Sequence, residues 1–364
     1  MKHGSLMLPF ASLALNEGSK GVALLRPLPQ RPFFLSSRLA ASARVAKSRK
    51  ASGGEPKKLY RAFSQEEPSL PIFSRDWWLD AVAGPDGWDV VLAVRGGEVT
   101  AAMPYQLRRR FGLRWLSQPR LTPVLGPWIR PSSAKPAVAL AQEKEQMEEL
   151  IANLPSFDYF TQNWHHSQSN WLPFFWRGFS QTTRYSYVLS NLGDQAALWR
   201  NLEKSVRTTI RKAQNRFGLK VRRDLGLEVF LELNRKTYLR QGLQPPYDDA
   251  QVRGLDAACA ARNCREIFIA VDEQGRPHAG EYMVWDENSA YALMGGADPS
   301  LRHSGATSLC LWEAINQAAQ LAPSYDFCGS MIESVERQFR AFGAQQRPYF
   351  RITKARNPLL RLIV

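Results

Sequence analysis

Asp326 and Ser330 stand four residues apart in Tyr325-Asp-Phe-Cys-Gly-Ser330, just after a helical segment that is itself opened by Arg302-His303-Ser304-Gly305-Ala306. A loop of this kind at a helix N-terminus offers free backbone N–H groups and a favourable dipole to a phosphate, so Arg302, Ser304, Gly305 and Ala306 are candidates for gripping a phosphorylated donor. If Tyr325–Cys328 is a strand, Asp326 and Cys328 point to one face and Tyr325 and Phe327 to the other. Asp326 is then a carboxylate that could orient a polar group or take a proton, with Glu281 as the second carboxylate in reserve. Ser330 could contact a phosphate oxygen. The competing reading makes Asp326 a structural partner of Arg337 or Arg340.

A second group of charges lies upstream. Residues 198–217 carry Trp199, Leu202, Val206, Ile210, Ala213 and Phe217 at steps of three and four, the stripe of a single amphipathic helix. Arg207 and Arg211 fall on one flank and Lys212 on the other, a face suited to phosphates of an acceptor or an RNA, or simply to solvent.

The elements that must position these residues follow from hydrophobic periodicity. Trp88–Val94 and Val99–Leu107 read as a hairpin around Arg95-Gly-Gly-Glu98, and residues 142–154 as a charged helix. Residues 228–240 and 254–261 read as helices. A meander of three strands follows (266–271, 279–285 and 290–296), then helix, strand, helix and strand. Trp171, Phe174, Phe175, Trp176 and Phe179 form a dense aromatic segment that either packs an interface or stacks against an acceptor.

Composition bounds the class. The 364 residues are 44% hydrophobic and 11% aromatic, as in a globular chain of two domains. The net charge is +15, but residues 1–58 hold eleven Lys/Arg against Glu17 and Glu55, leaving about +6 elsewhere. Charge alone therefore does not announce nucleic acid. Residues 31–54 are rich in Arg, Ser and Ala without an acid, which is read as a flexible extension, with folding expected from about Leu59. No stretch reaches the length of a membrane span. The four cysteines, Cys259, Cys264, Cys310 and Cys328, lack a zinc spacing and read as packing residues in a reducing, cytoplasmic setting. The histidines are scattered apart from His165-His166, so no metal is expected.

The run of elements from residue 228 onward resembles the core of the GNAT acyltransferases. The wording "DFxGSm" followed by a helix and "FGaxxxxY" (Asp326, Phe327, Gly329, Ser330, Met331, Phe342, Gly343, Ala344 and Tyr349) resembles the Fem-like, methicillin-resistance-type branch and its relatives with CelD-like acetyltransferase domains. The Arg207–Ala213 run is similar to part of the same pattern. The resemblance is strongest over residues 185–354. It implies two GNAT-like α/β domains of mixed sheet flanked by helices, a degenerate one over 59–189 and an acyltransferase domain over 190–364. It also implies acyl- or aminoacyl transfer to an amine or hydroxyl of a cell-wall or polysaccharide precursor. Arg337 and Tyr349 join Arg207, Arg211, Lys212 and Ser330 as substrate-binding candidates. In the (Q/R)xxGx(G/A) donor loop Arg302 and Gly305 match, whereas Thr307 replaces the small residue. The donor implied is acyl-CoA or, with the larger side chain, aminoacyl-tRNA, so tRNA is a candidate partner alongside peripheral membrane association. Two other classes remain: a GNAT-fold binding protein without transfer, and an RNA-binding module using the basic tail.

Overall fold

The computed structural model describes residues 54–357. Helices α1 (Glu55–Glu66) and α2 (Asp76–Ala83) precede strands β1 (Asp89–Arg95), β2 (Glu98–Arg110), β3 (Leu113–Ser117) and β4 (Trp128–Ile129). Helix α3 (Pro136–Asn153), strand β5 (Tyr159–Asn163), helix α4 (Leu172–Trp176) and strand β6 (Ser180–Ser190) complete the first half. The second half runs α5 (Gln195–Asn201), α6 (Lys204–Asn215), β7 (Lys220–Arg222), α7 (Gly226–Leu239), α8 (Asp249–Ala260), β8 (Arg265–Val271), β9 (Pro277–Trp285) and β10 (Ala290–Ala297). It ends with α9 (Ala306–Ala318), β11 (Ser324–Asp326), α10 (Glu333–Ala341) and β12 (Gln345–Ala355). The mixed α/β architecture expected from the sequence is the one observed. The expected extension over 1–58 lies almost wholly outside the described residues.

All the strands join one sheet in the order β1-β2-β3-β5-β12-β6-β11-β10-β9-β8-β7, with β4 against β2. The last strand, β12, is inserted between β5 and β6 and pairs antiparallel with both. The sheet is therefore continuous across the boundary expected near residue 190.

Alternation along the strands sends apolar side chains to both faces, and each face is covered by helices. On one face α5, α6, α9 and α10 bury a core with Tyr187, Ala279, Met283, Tyr325 and Phe327. On the same strands' other face α7, α8 and α2 cover Ile267, Ile269, Tyr282, Tyr291 and Leu293. Toward β1, α3 and α4 pack on Val91, Met103 and Phe160, while α1 packs opposite them on Val90, Leu92 and Ala102. Among the described residues no helix is long and apolar enough to cross a membrane.

One expectation is corrected. The apolar stripe of 198–217 is not one helix, because Leu202 and Glu203 adopt extended backbone with ψ near 141° and 148°. The N–H of Glu203 leaves the helical ladder for the carbonyl of Ala341 at 2.8 Å. Arg207 reaches back to the carbonyls of Arg200 (2.8 Å) and Leu202, satisfying the acceptors orphaned where α5 stops. The stripe's buried residues survive the break, since Leu202, Val206, Ile210 and Ala213 all enter the core.

Candidate active site

Strands β10 and β11 run parallel but pair only through Ala290–Tyr325 and Tyr291–Asp326. Beyond that point they part. A bulge between Ala292 and Met294 twists β10, and α7 takes hold of its far end. Asn234 Nδ2 donates to the Gly295 carbonyl at 2.8 Å, and Thr237 Oγ1 accepts the Ala297 N–H at 2.8 Å. A Cβ on Gly296 would lie 2.4 Å from the Asn234 nitrogen, so only glycine lets α7 come this close. On the other side of the gap the chain turns sharply at Cys328 (φ 57°) and Gly329 (φ 70°), where a Cβ on Gly329 would lie 2.3 Å from the Tyr185 carbonyl oxygen.

On one face, at the far end of β10, lies the donor-loop candidate. Gly305 is left-handed (φ 82°) and opens α9 without a side-chain cap. Helix α6 lies directly against it, for a Cβ on Gly305 would meet Thr209 Cγ2 at 2.7 Å. Lys212 Nζ donates to the His303 carbonyl at 3.1 Å, so the basic helix and the loop are brought together. Ser304 is fully buried, and its Oγ is 3.0 Å from His278 Nδ1, whose Nε2 is 3.2 Å from Asp272 Oδ2. Burial works against the Asp272 carboxylate, yet the Arg276 N–H, His278 and the Arg276 guanidinium hold it down at about 2. Ser304 is thus an anchor for the loop, inaccessible as a nucleophile. Arg302 is exposed at the loop's start, Ala306 is buried and Thr307 half-buried.

On the opposite face is Asp326, 6% exposed. Its Oδ1 accepts the hydroxyl of Ser186 and the Cys328 N–H (2.7 Å), while Oδ2 faces His166 Nε2 at 3.8 Å. Burial raises the Asp326 pKa, opposed by Ser186, His166 and the Cys328 N–H. Burial likewise lowers that of His166, against the pull of Asp326 and with the push of Arg347. His165 stacks beside His166 with ring centres 4.1 Å apart and is brought down to about 3, chiefly by desolvation and then by His166. Asp326 and the two histidines bring ligand atoms within 4.8 Å of one another, the geometry of a group that could hold a metal ion, which histidine spacing did not foretell.

Beside this pair the sheet is only partly covered. Arg184 and Ser186 of β6 alternate with Tyr187 and Leu189, which enter the core of the other face. Their partners on β12 are Tyr349 and Arg347, followed by Arg351. Arg347 is exposed and Arg184 and Arg351 half-buried. Arg351 donates Nε to Asn163 at 3.1 Å, and Arg347 donates to Gln345 at 2.9 Å, neither of them a carboxylate. Burial first, then Arg184, lowers the Arg351 pKa. Tyr349 is buried among them, its phenol raised by burial despite the nearby arginines.

The remaining candidates lie elsewhere. Glu281 does not share the Asp326 cleft: it points from β9 into the other face, 2% exposed, with Oε1 unbonded. Burial raises its pKa well above the usual carboxylate range. Arg337 pairs with Glu333 at 2.9 Å, and Arg340 with Glu336 at 3.2 Å, so the structural partnership with Asp326 is replaced by Ser186 and His166. Arg207 caps α5, and Arg211 lies over Trp199 at 5.5 Å. Ser330 Oγ accepts the Ile332 N–H at 3.0 Å just before α10. In the aromatic segment Phe174 and Phe179 are core, while Phe175 and Trp176 are exposed. His166, Ser186, Arg184 and Arg351 escaped the sequence reading, the adjacent histidines being their only signal.

Residues 200–339 match the model of the GNAT acetyltransferase domain. No curated protein matches the chain in sequence. Among solved structures it is similar to FemX, with TM-score 0.61 and 14% identity over 85% of this chain and 98% of that one. It is also similar to a conserved protein of unknown function from Bacteroides thetaiotaomicron VPI-5482, with TM-score 0.50 and 12% identity over 84% and 99% of the two chains. A third is the C-terminal domain of a candidate lysylphosphatidylglycerol synthetase from Agrobacterium fabrum, with TM-score 0.50 and 10% identity over 86% and 95%. Residues 200–339 thus carry a GNAT acetyltransferase domain, and the chain along most of its length has a fold similar to that of FemX.

Proposed function

We propose that the protein transfers an acyl or aminoacyl group to an amine of a cell-wall or polysaccharide precursor, and that Asp326 and His166 handle the proton. The observation that carries this reading is the buried Asp326–His166 pair at the opening between β10 and β11, beside Arg184, Arg347 and Arg351. The donor, acyl-CoA or aminoacyl-tRNA, lies along the α9 face with a phosphate at the Gly305–Ala306 N–H groups, near Arg302 and Lys212. Its acyl carbon enters the opening from that side. The acceptor lies on the other face, its anionic part against the arginines and Tyr349.

In the transfer the amine nitrogen forms a bond to the acyl carbon, and the bond from that carbon to the donor sulfur or ribose oxygen breaks. The amine's proton passes to His166, whose charged form burial disfavours, and the imidazolium then gives that proton to the departing sulfur or oxygen. Asp326 fixes the imidazole and stabilises the charge it acquires, its own geometry set by Ser186 and Cys328.

The test is transfer to amine acceptors by wild type, His166→Gln and Asp326→Asn, with donor binding followed by calorimetry. Slow turnover with donor binding retained supports the assignment. Full activity in both folded variants removes the pair from the reaction. Arg302→Ala separately tests the donor side, where weakened donor binding is expected.

A further inference from the structure

The β2–β3 hairpin leaves the body of the sheet. β1 accompanies β2 only to Asp89, opposite Tyr105, and β5 accompanies β3 only from Tyr159, opposite Trp115. Among the described residues, 109–113 therefore project with no strand on either side, and Arg114 is tied to Asp158 at their base. At the tip Phe111 is 88% exposed and held there by a left-handed backbone (φ 51°), followed by Gly112 at φ 74°. Arg109 and Arg110 are exposed, and the Arg110 guanidinium lies 5.3 Å from the Phe111 ring centre.

The same end of the sheet carries more of this chemistry. β12 ends at Ala355, opposite Tyr159, and Lys354 donates to the carbonyl of Arg177 at 2.6 Å. Arg177 follows α4, where Trp176 is 54% exposed with Lys144 5.5 Å from its ring centre. The local acids are engaged, Glu148 with Arg177 at 3.5 Å and Asp158 with Arg356 at 3.7 Å and the Arg114 N–H at 2.8 Å.

We propose that this end of the molecule docks on an anionic lipid bilayer, with Phe111 entering the interfacial layer and Arg109, Arg110 and Arg114 meeting lipid phosphates. The shape favours a membrane over a protein partner: among the described residues the tip projects past the flanking strands and presents one exposed apolar ring beside exposed cations. Such a point gains from burial in lipid and from a negative surface potential together. The inference goes beyond acyl transfer and does not depend on it.

The test is sedimentation of the full-length protein with vesicles of phosphatidylcholine alone or mixed with phosphatidylglycerol. Wild type is expected to partition to the mixed vesicles and to be released by salt. Arg109→Gln with Arg110→Gln should lower the partition coefficient about 30-fold, from the typical worth of each surface cation. Phe111→Ser should lower it about tenfold through lost apolar burial. Melting temperatures should not move, because none of the three side chains enters the core. The basic residues before Gly54 are common to every variant, so equal partitioning by wild type and variants overturns the proposal, as does absence of wild-type binding to mixed vesicles. Variants that bind vesicles normally but lose affinity for single-stranded RNA overturn it in favour of a nucleic-acid surface.

Discussion

Two carboxylates on the strands that flank β10, Glu281 on β9 and Asp326 on β11, show how differently the two faces of this sheet are used. Glu281 faces a helical layer with an oxygen unbonded, and its burial raises the carboxyl pKa far above normal. Asp326 faces the side where cover thins toward β6 and β12, and both its oxygens have polar neighbours. Burial acts on both carboxyls; what separates them is partnership. A buried acid without partners sheds its charge, whereas one held by a hydroxyl, an N–H and an imidazole can do proton chemistry.

The widest separation of the two faces should appear in turnover. Asp326→Asn and His166→Gln should each cut it by about 10²–10⁴-fold with donor binding intact, while Glu281→Gln should leave it within about twofold. Equal losses from both carboxylates would collapse the distinction. Next in size is the turn that carries the Asp326 side: Gly329→Ala should destabilise the fold by more than ~2 kcal/mol, given its left-handed backbone and the Tyr185 carbonyl. Chemical denaturation measures this, and a neutral result would show that the turn is free to relax.

A smaller effect should come from Glu281 itself. Its folded pKa lies above its unfolded value, so the stability it allows is fully present below the ordinary glutamate pKa and is lost as pH rises toward the folded value. Glu281→Met should flatten that loss and add about 1–2 kcal/mol at neutral pH. Destabilisation instead would mean that the carboxyl has a role on its face. Smallest of all, Arg351→Gln should raise the acceptor KM about tenfold, the worth of one charge-assisted contact, with kcat nearly unchanged. A fall in kcat with KM constant would move Arg351 from acceptor binding into the proton-handling group.

The sequence made some of this legible and hid the rest for a physical reason. Periodicity located the β1–β2 hairpin, the β8–β10 meander and the α9 loop because each is a local pattern. It overran the break at Leu202–Glu203, where a tertiary bond to Ala341 and the Arg207 cap overrode an unbroken apolar stripe. It identified Asp326 but not its partners, since Ser186 lies 140 residues away and His166 further still. Those neighbours follow from the strand order, which places β6 next to β11, and strand order across such distances leaves no periodic trace. Arg351 was invisible for the same reason, its strand being the one that crosses back.

That crossing also dictates a timetable. Because β12 fills the gap between β5 and β6, the centre of the sheet cannot close on the ribosome until residues 345–355 have emerged. Until then the facing edges of β5 and β6 present unpaired backbone donors and acceptors, which are templates for pairing with other chains. A nascent chain paused before Gln345 should therefore be a chaperone client and prone to aggregate, and supplying the β12 sequence as a separate peptide should rescue it.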